Sequence, residues 1–396
     1  MDNLGDILRR ATAAPRALTA DELAALLALA APDEVAALRA AAYEVKTRHV
    51  GRVVSLRGLV EAGNVCAKNC YYCGIRRGNK NIGRFQLTKD EILRAAEDVV
   101  RMRYGSLVLQ SGETESETHT EFIEDVLISI TRMTGGGLGV TLSLGEQSPE
   151  TYRRWREAGA RRYLLRIETS DPALYATLHP ATHSYGRRLA CLRSLRECGY
   201  QVGSGVMCGL PGQDFRSLAR DIGFFAEMDF DMLGTGPYIP HRDTPMGRII
   251  NDESRIKNYA GSGKKLKNAG ETESFIIRHS PLLISLNMIS VARLYLHDVN
   301  IASTTALQTL APDGREQGLL AGANVIMPNV TDTSYRRRYQ LYDGKPGLDE
   351  NSGQIRGALA ASIARIGETI NWDTPGDSPH FAKRVESVEK TTGQCR

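Results

Sequence analysis

Residues 53–60, VVSLRGLV, form a β-rich run that leads straight into residues 64–85, NVCAKNCYYCGIRRGNKNIGRF. Three of the chain's seven cysteines, Cys66, Cys70 and Cys73, fall in this second stretch, spaced Cys-x3-Cys-x2-Cys, with Tyr72 directly before the third. Three thiolates this close together converge on a soft metal centre. A structural zinc would want a fourth ligand, and no fourth Cys or His stands at ligand spacing beside the trio. A four-iron cluster on three thiolates leaves one iron open, and an open position is what separates catalytic from structural metal centres. Zinc or disulfides are the plainer alternative. Disulfides are disfavoured because the opening residues MDNLGDILRR lack an apolar export core. Cys191 and Cys198 lie seven apart on one face of an expected helix, Cys208 ends an expected strand, and Cys395 is in the tail. All four read as structural.

Outward from this stretch, β-rich runs alternate with helical patterns. Eight runs are read: 53–60, 106–112, 139–145, 162–168, 202–210, 231–239, 300–307 and 323–329. Between them stand segments such as TKDEILRAAEDVVRMR and SPETYRRWREAG, which begin on capping residues. Repeated β-α units imply a parallel sheet, and eight of them predict an α/β fold, a (β/α)8 TIM-type barrel. An open doubly wound sheet is disfavoured because no GxGxxG follows an early strand. Residues 1–48 read as an N-terminal helical cap, with Thr19 and Pro32 as start signals, and 49–348 as the barrel. Residues 249–280 read as a polar insertion, and 349–396 as a C-terminal helix and polar tail.

With 50 basic and 46 acidic residues the net charge is +4, too balanced to argue for nucleic acid. Apolar residues are 42% of the chain, enough for a large core, yet no apolar run is long enough to cross a bilayer. The expected compartment is the cytoplasm, where thiols stay reduced.

In such a barrel the chemistry sits at the C-terminal ends of the strands. Here those ends are polar almost throughout: Gln110 to Glu113, Ser143 to Glu146, Arg166 to Thr169, Pro240-His241, and Thr304-Thr305. Gly112 lets backbone approach a ligand, and Glu113 offers a carboxylate to an ammonium group; a turn cap is the alternative. Arg166 and Glu168 are two apart, so they share a face. In the lumen they would be desolvated and paired or ligand-bound, and at the rim they would form an ordinary salt bridge. Arg188, starting the next helix, suits either a carboxylate partner such as Glu168 or the surface. Thr304 and Thr305 suit an anion or simply a strand. Tyr339 and Tyr342 either close the mouth or pack as core.

The cysteine spacing resembles that of radical S-adenosylmethionine (SAM) enzymes. Taken with LVLQSGE, VTLSLGE, REAGARRYLLRIET, GLPGQ, FDMLGTGPYIPHRDTP, GANVIMPN and YQLYDGK, the chain resembles the HydE-type FeFe-hydrogenase maturases of the biotin-synthase-like group over about residues 45–345. The resemblance implies one 4Fe-4S cluster on Cys66, Cys70 and Cys73. Tyr72 would flank the adenine of SAM, with Gln110, Gly112 and Glu113 near its methionine end, Ser143 also binding the cofactor, and Glu168 and Arg188 deeper. It further implies that Arg166, Thr304, Thr305, Tyr339 and Tyr342 line the substrate end, where a cysteine-bound iron carbonyl cyanide complex would be converted toward the diiron subsite of the H-cluster. Ferredoxin or flavodoxin would supply electrons and sister maturases would be partners, with no nucleic acid or membrane involved. Some members carry a second cluster after the last barrel strand. DGKPGLDENSGQ has no cysteine there, so one cluster is expected. The 249–280 insertion is longer than the family pattern. The rival readings are a methylornithine synthase-like lysine mutase and a non-catalytic iron–sulfur carrier or scaffold.

Overall fold

The computed structural model describes residues 3–249, 280–350 and 352–393. The expected insertion at 249–280 therefore lies almost wholly outside the described residues, as does Cys395. Eight parallel staves run around the molecule in chain order. They are β1 (Val53–Gly63), β2 (Ser106–Ser111), β3 (Gly139–Ser143), β4 (Ala160–Leu164), β5 (Gln201–Ser204), β7 (Met232–Leu233), β9 (Asn300–Ile301) and β10 (Val325–Ile326). Two short strands, β6 (Met207–Cys208) and β8 (Gly236–Pro237), pair with each other just beyond β5 and β7. The last stave pairs with the first, Ser55 opposite Val325, and a single bridge from Ala302 to Val325 completes the ring. The barrel is closed.

The helices between the staves begin where capping chemistry allows. Thr88 accepts from the Glu91 N–H while the Glu91 carboxylate accepts from the Thr88 N–H, a reciprocal capping box at helix Lys89–Arg101. Thr19 and Glu22 do the same at helix Ala20–Leu27, and Pro32 opens helix Pro32–His49 as its first residue. These N-terminal helices pack on the long apolar helix Pro281–Leu296, whose Asn287 amide donates to the carbonyls of Leu27 and Leu29.

Two readings are corrected. The run 300–307 is strand only at Asn300–Ile301; Thr304 caps a helix, Thr305–Leu310, because the chain turns outward as soon as it has paired with β7 and β10. Nor is the C-terminal segment merely a helix and tail. Strand β11 (Thr369–Ile370) pairs with the start of β1, and a further helix spans Pro379–Gly393. Between them, residues 375–377 stop the N-terminal mouth of the barrel. Arg57 donates to the Gly376 carbonyl at 3.0 Å, Arg162 to the Pro375 carbonyl at 2.7 Å, and Asn300 to Gly376 at 3.0 Å. Two buried arginines pointing into the lumen need such acceptors, which backbone carbonyls and Asp377 supply. The floor is sealed, and access to the lumen is left to the C-terminal ends of the strands.

Candidate active site

Strand register sets the first layer of the site. Glu61 lies opposite Gln110, and Gln110 opposite Ser143, so three neighbouring strands present these residues at one height. Gln110 donates to the Tyr339 hydroxyl at 3.1 Å. Half-buried Lys345 pairs with buried Glu61 and lies over the Tyr339 ring, which closes this side of the mouth.

The cysteine loop leaves β1 after a register shift between Glu61 and Gly63 and is strapped to the end of β2. The Gly112 N–H donates to the Gly63 carbonyl at 2.9 Å and the Ala67 N–H to the Glu113 carbonyl at 2.7 Å. The Glu113 N–H donates to the Cys66 sulfur at 3.3 Å. Gly112 also admits a close approach of the cysteine loop itself: a Cβ there would meet the Val65 carbonyl oxygen at 2.3 Å and the Cys66 Cβ at 2.8 Å. Burial raises the pKa of Cys66, pushes Cys70 up to about 12 and pushes Cys73 well above its ordinary value. The charge of each of Cys66 and Cys70 is also felt at Cys73. Three desolvated sulfurs in mutual electrostatic reach need a cationic centre to hold them as thiolates.

Beside the loop stands an ionic knot that the sequence reading missed in part. Lys68, within the cysteine loop, donates to Glu146 at 2.7 Å and pairs with Glu113 at 3.2 Å. Arg188 donates to the other oxygen of Glu146 at 2.6 Å and to the Arg166 carbonyl. Burial by itself pushes Glu146 up, but Arg188 and Lys68 outweigh it and hold the carboxyl below its ordinary value. Glu113 is pushed up by burial, opposed by Lys68. Its carboxylate accepts from the Glu146 N–H at 2.8 Å and fills the space a side chain would need at Gly145, which has φ +78°. Arg188 is thus paired with Glu146 and not with Glu168. The signal for Glu146 was present in the sequence as the second of two Gly-Glu pairs at adjacent strand ends.

Arg166 and Glu168 lie beyond the end of β4, one bridge above it, and form an ion pair at 3.0 Å. Glu168 is buried and takes φ +67°, a backbone cost that a non-glycine residue bears only when its surroundings impose it. Burial raises its pKa, with Arg166 and Arg188 opposing. Thr235 Oγ1, Tyr238 Oη and Thr304 Oγ1 are buried with no protein partner in hydrogen-bond geometry. Buried orphans of this kind mark ligand positions. Thr305 accepts from Arg315 at 3.2 Å, and burial pushes Tyr342 up to about 12. Tyr72 sits on the other wall with Leu174, Leu178, Met207 and Tyr238, its hydroxyl 3.4 Å from His179 Nε2. Ser143 is half-buried.

Residues 60–225 match the model of the Radical SAM superfamily. The chain is 42% identical over 335 residues to the FeFe hydrogenase maturase subunit HydE of Thermotoga maritima, covering 85% of this chain and 87% of that one. The chain belongs to the HydE family of radical SAM enzymes. It is also 25% identical over 344 residues to the 3-methylornithine synthase of Methanosarcina acetivorans, 86% of this chain and 87% of that one. In fold it resembles a crystal structure of methylornithine synthase, with a TM-score of 0.74 at 22% identity, covering 93% of this chain and 98% of the other. Membership implies a 4Fe-4S cluster, SAM, an electron donor and a small-molecule substrate. The donor set fits the cluster, with three half-buried thiols in mutual electrostatic reach, one already accepting a main-chain N–H. No described helix is long and apolar enough to cross a membrane.

Proposed function

We propose that this chain is a HydE-type maturase that works on the diiron subsite of the FeFe-hydrogenase H-cluster, acting on a cysteine-bound iron carbonyl cyanide complex supplied by a partner maturase. Cys66, Cys70 and Cys73 would hold a single four-iron cluster, and Glu113, Gln110, Gly112, Ser143 and Tyr72 would border SAM. When bound, cluster and SAM together supply an adenosyl radical by one-electron cleavage of the sulfonium. The chain's own residues place and shelter that chemistry.

Glu113 offers a desolvated carboxylate to an ammonium group, and Lys68 and Arg188 set the charge around it. The sealed floor and the Lys345–Tyr339 wall keep water from the lumen, which suits a reactive carbon radical. Arg166, Glu168 and Thr304 would provide cation, anion and hydroxyl at the substrate end, a set matched to an anionic, amino-acid-bearing metal complex. Ferredoxin or flavodoxin would be the reductant.

The observation that carries this reading is the Glu113 N–H bonded to Cys66. It fastens the metal-binding loop to the strand end that carries the proposed SAM carboxylate. The test is anaerobic reconstitution with SAM and reductant, followed by deoxyadenosine yield with the cysteine–iron carbonyl cyanide complex, with lysine and with no addition. Stimulation by the complex supports the maturase. Stimulation by lysine alone makes the chain a lysine mutase, and no deoxyadenosine at all leaves only a carrier.

A further inference from the structure

Two histidines between helices Pro172–Leu178 and Tyr185–Glu197 take no part in the chemistry above. One ligating atom from each of His179 and His183, with one from Cys70, falls within 4.8 Å of the others. Such a trio could hold a metal ion, but the hydrogen bonds say otherwise. The main-chain N–H of Asn69 donates to His183 Nε2 at 3.3 Å. An N–H can only donate, so Nε2 keeps its lone pair, the ring is not an imidazolium, and its one proton is on Nδ1. That Nδ1 faces the Cys70 sulfur at 3.9 Å. His179 is fixed the other way. Its Nδ1 lies 2.9 Å from the Tyr175 carbonyl oxygen and must carry the proton, which leaves Nε2 as an acceptor turned to Tyr72. Of the two rings, His183 alone has a proton to give the sulfur.

We propose that His183 is a positioning residue for the iron site, donating an Nδ1–H···S hydrogen bond to Cys70 and thereby raising the potential at which the centre accepts its electron. The proposal rests on the reading of Cys70 as a cluster ligand. An added electron increases negative charge on the coordinating sulfurs, so a donor aimed at one of them favours the reduced state. The donors to the other two sulfurs, Glu113 N–H at Cys66 and Ile75 N–H at Cys73, belong to the backbone. Cys70 is served by a side chain, His183, since the one Tyr72 hydroxyl proton goes to His179 Nε2. The device is therefore adjustable at Cys70 alone.

The test compares wild type, His183→Phe and His183→Gln after anaerobic reconstitution. Iron and sulfide are counted first, and the reduced-cluster EPR signal is then followed through a redox titration. Loss of the donor in His183→Phe should lower the reduction equilibrium constant about tenfold, about 59 mV for a one-electron couple. The Gln amide N–H should recover most of the loss. An unshifted potential in a fully loaded Phe variant overturns the proposal. If the Phe variant does not load, pulsed EPR on wild type labelled with 15N-histidine decides. A weak coupling from a non-ligand ring supports the hydrogen bond, and the strong coupling of an iron-bound nitrogen refutes it. Cys70→Ser separates the two levels of the argument: a complete four-iron centre in that variant sinks the ligand assignment itself, whatever His183 does.

Discussion

The carboxylates of Glu113 and Glu146 share one ammonium, Lys68, which lies 3.2 Å from the first and 2.7 Å from the second. Two buried acids on adjacent strand ends are kept together by a cation from the metal-binding loop itself, so loop, strand ends and helix Tyr185–Glu197 form one electrostatic unit. Glu146 is the hub, since it also takes Arg188.

Glu146→Ala should therefore act on the fold. It leaves Arg188 without its buried partner and Lys68 with Glu113 alone, and breaking a buried pair costs about 3–5 kcal/mol. Denaturant midpoints should fall accordingly. Glu113→Gln, which keeps the shape and loses only the charge, should leave the midpoint close to wild type and weaken SAM binding by calorimetry. Equal loss of stability in both variants would contradict this division of roles.

Gly112→Ala tests the strap between loop and strand. The new methyl group would meet the Val65 carbonyl and Cys66 Cβ well inside contact distance, so the loop must move. Reconstituted iron should drop well below wild type, with about 1–3 kcal/mol of stability lost to overpacking. Full iron content in this variant would mean the loop is held elsewhere.

Arg166→Ala should reduce substrate-dependent turnover more than SAM affinity, because its guanidinium pairs with Glu168 and not with the Lys68 knot. A fall in SAM affinity alone, measured by calorimetry, would put Arg166 in the wrong half of the site.

His380 gives a pH signature far from the chemistry. Its hydrogen bonds to Asp229 at 2.7 Å and Asp298 at 3.1 Å raise its pKa to about 9, against about 6.5 when unfolded. A raised histidine stabilises the fold fully below the unfolded value, and that contribution disappears as pH climbs through the folded one. Thermal midpoints should thus decline between about pH 6.5 and 9, and His380→Ala should flatten that decline. Parallel profiles for the two proteins would remove His380 from the explanation.

How much of this was legible follows from what each feature needs. The cysteine trio is local in sequence and was read directly. The eight staves were visible because short apolar runs recur between capped helices. Arg166 and Glu168 were read as sharing a face of one strand; they are ion-paired, but beyond the end of β4 and with Glu168 at φ +67°. Glu146 as the partner of Arg188 was not read because the two meet only in the tertiary structure, one beyond the end of β3 and the other on helix Tyr185–Glu197, which no local pattern encodes. The floor was missed for a similar reason. Residues 375–377 look like polar tail, yet Arg57 and Arg162, inward-facing in the middle of apolar strands, were the signal that something must accept their protons. Thr304 and Thr305 looked like strand because threonine suits strands, while the ring needed only two paired residues there.

The central claim is that three sulfurs leave one iron free at the open end of a sealed barrel. Deoxyadenosine formation from SAM by anaerobically reconstituted Cys66→Ser, Cys70→Ser and Cys73→Ser measures it most directly. The account predicts that each substitution abolishes both the product and the reduced-cluster EPR signal. A wild-type yield from any one of the three would contradict it.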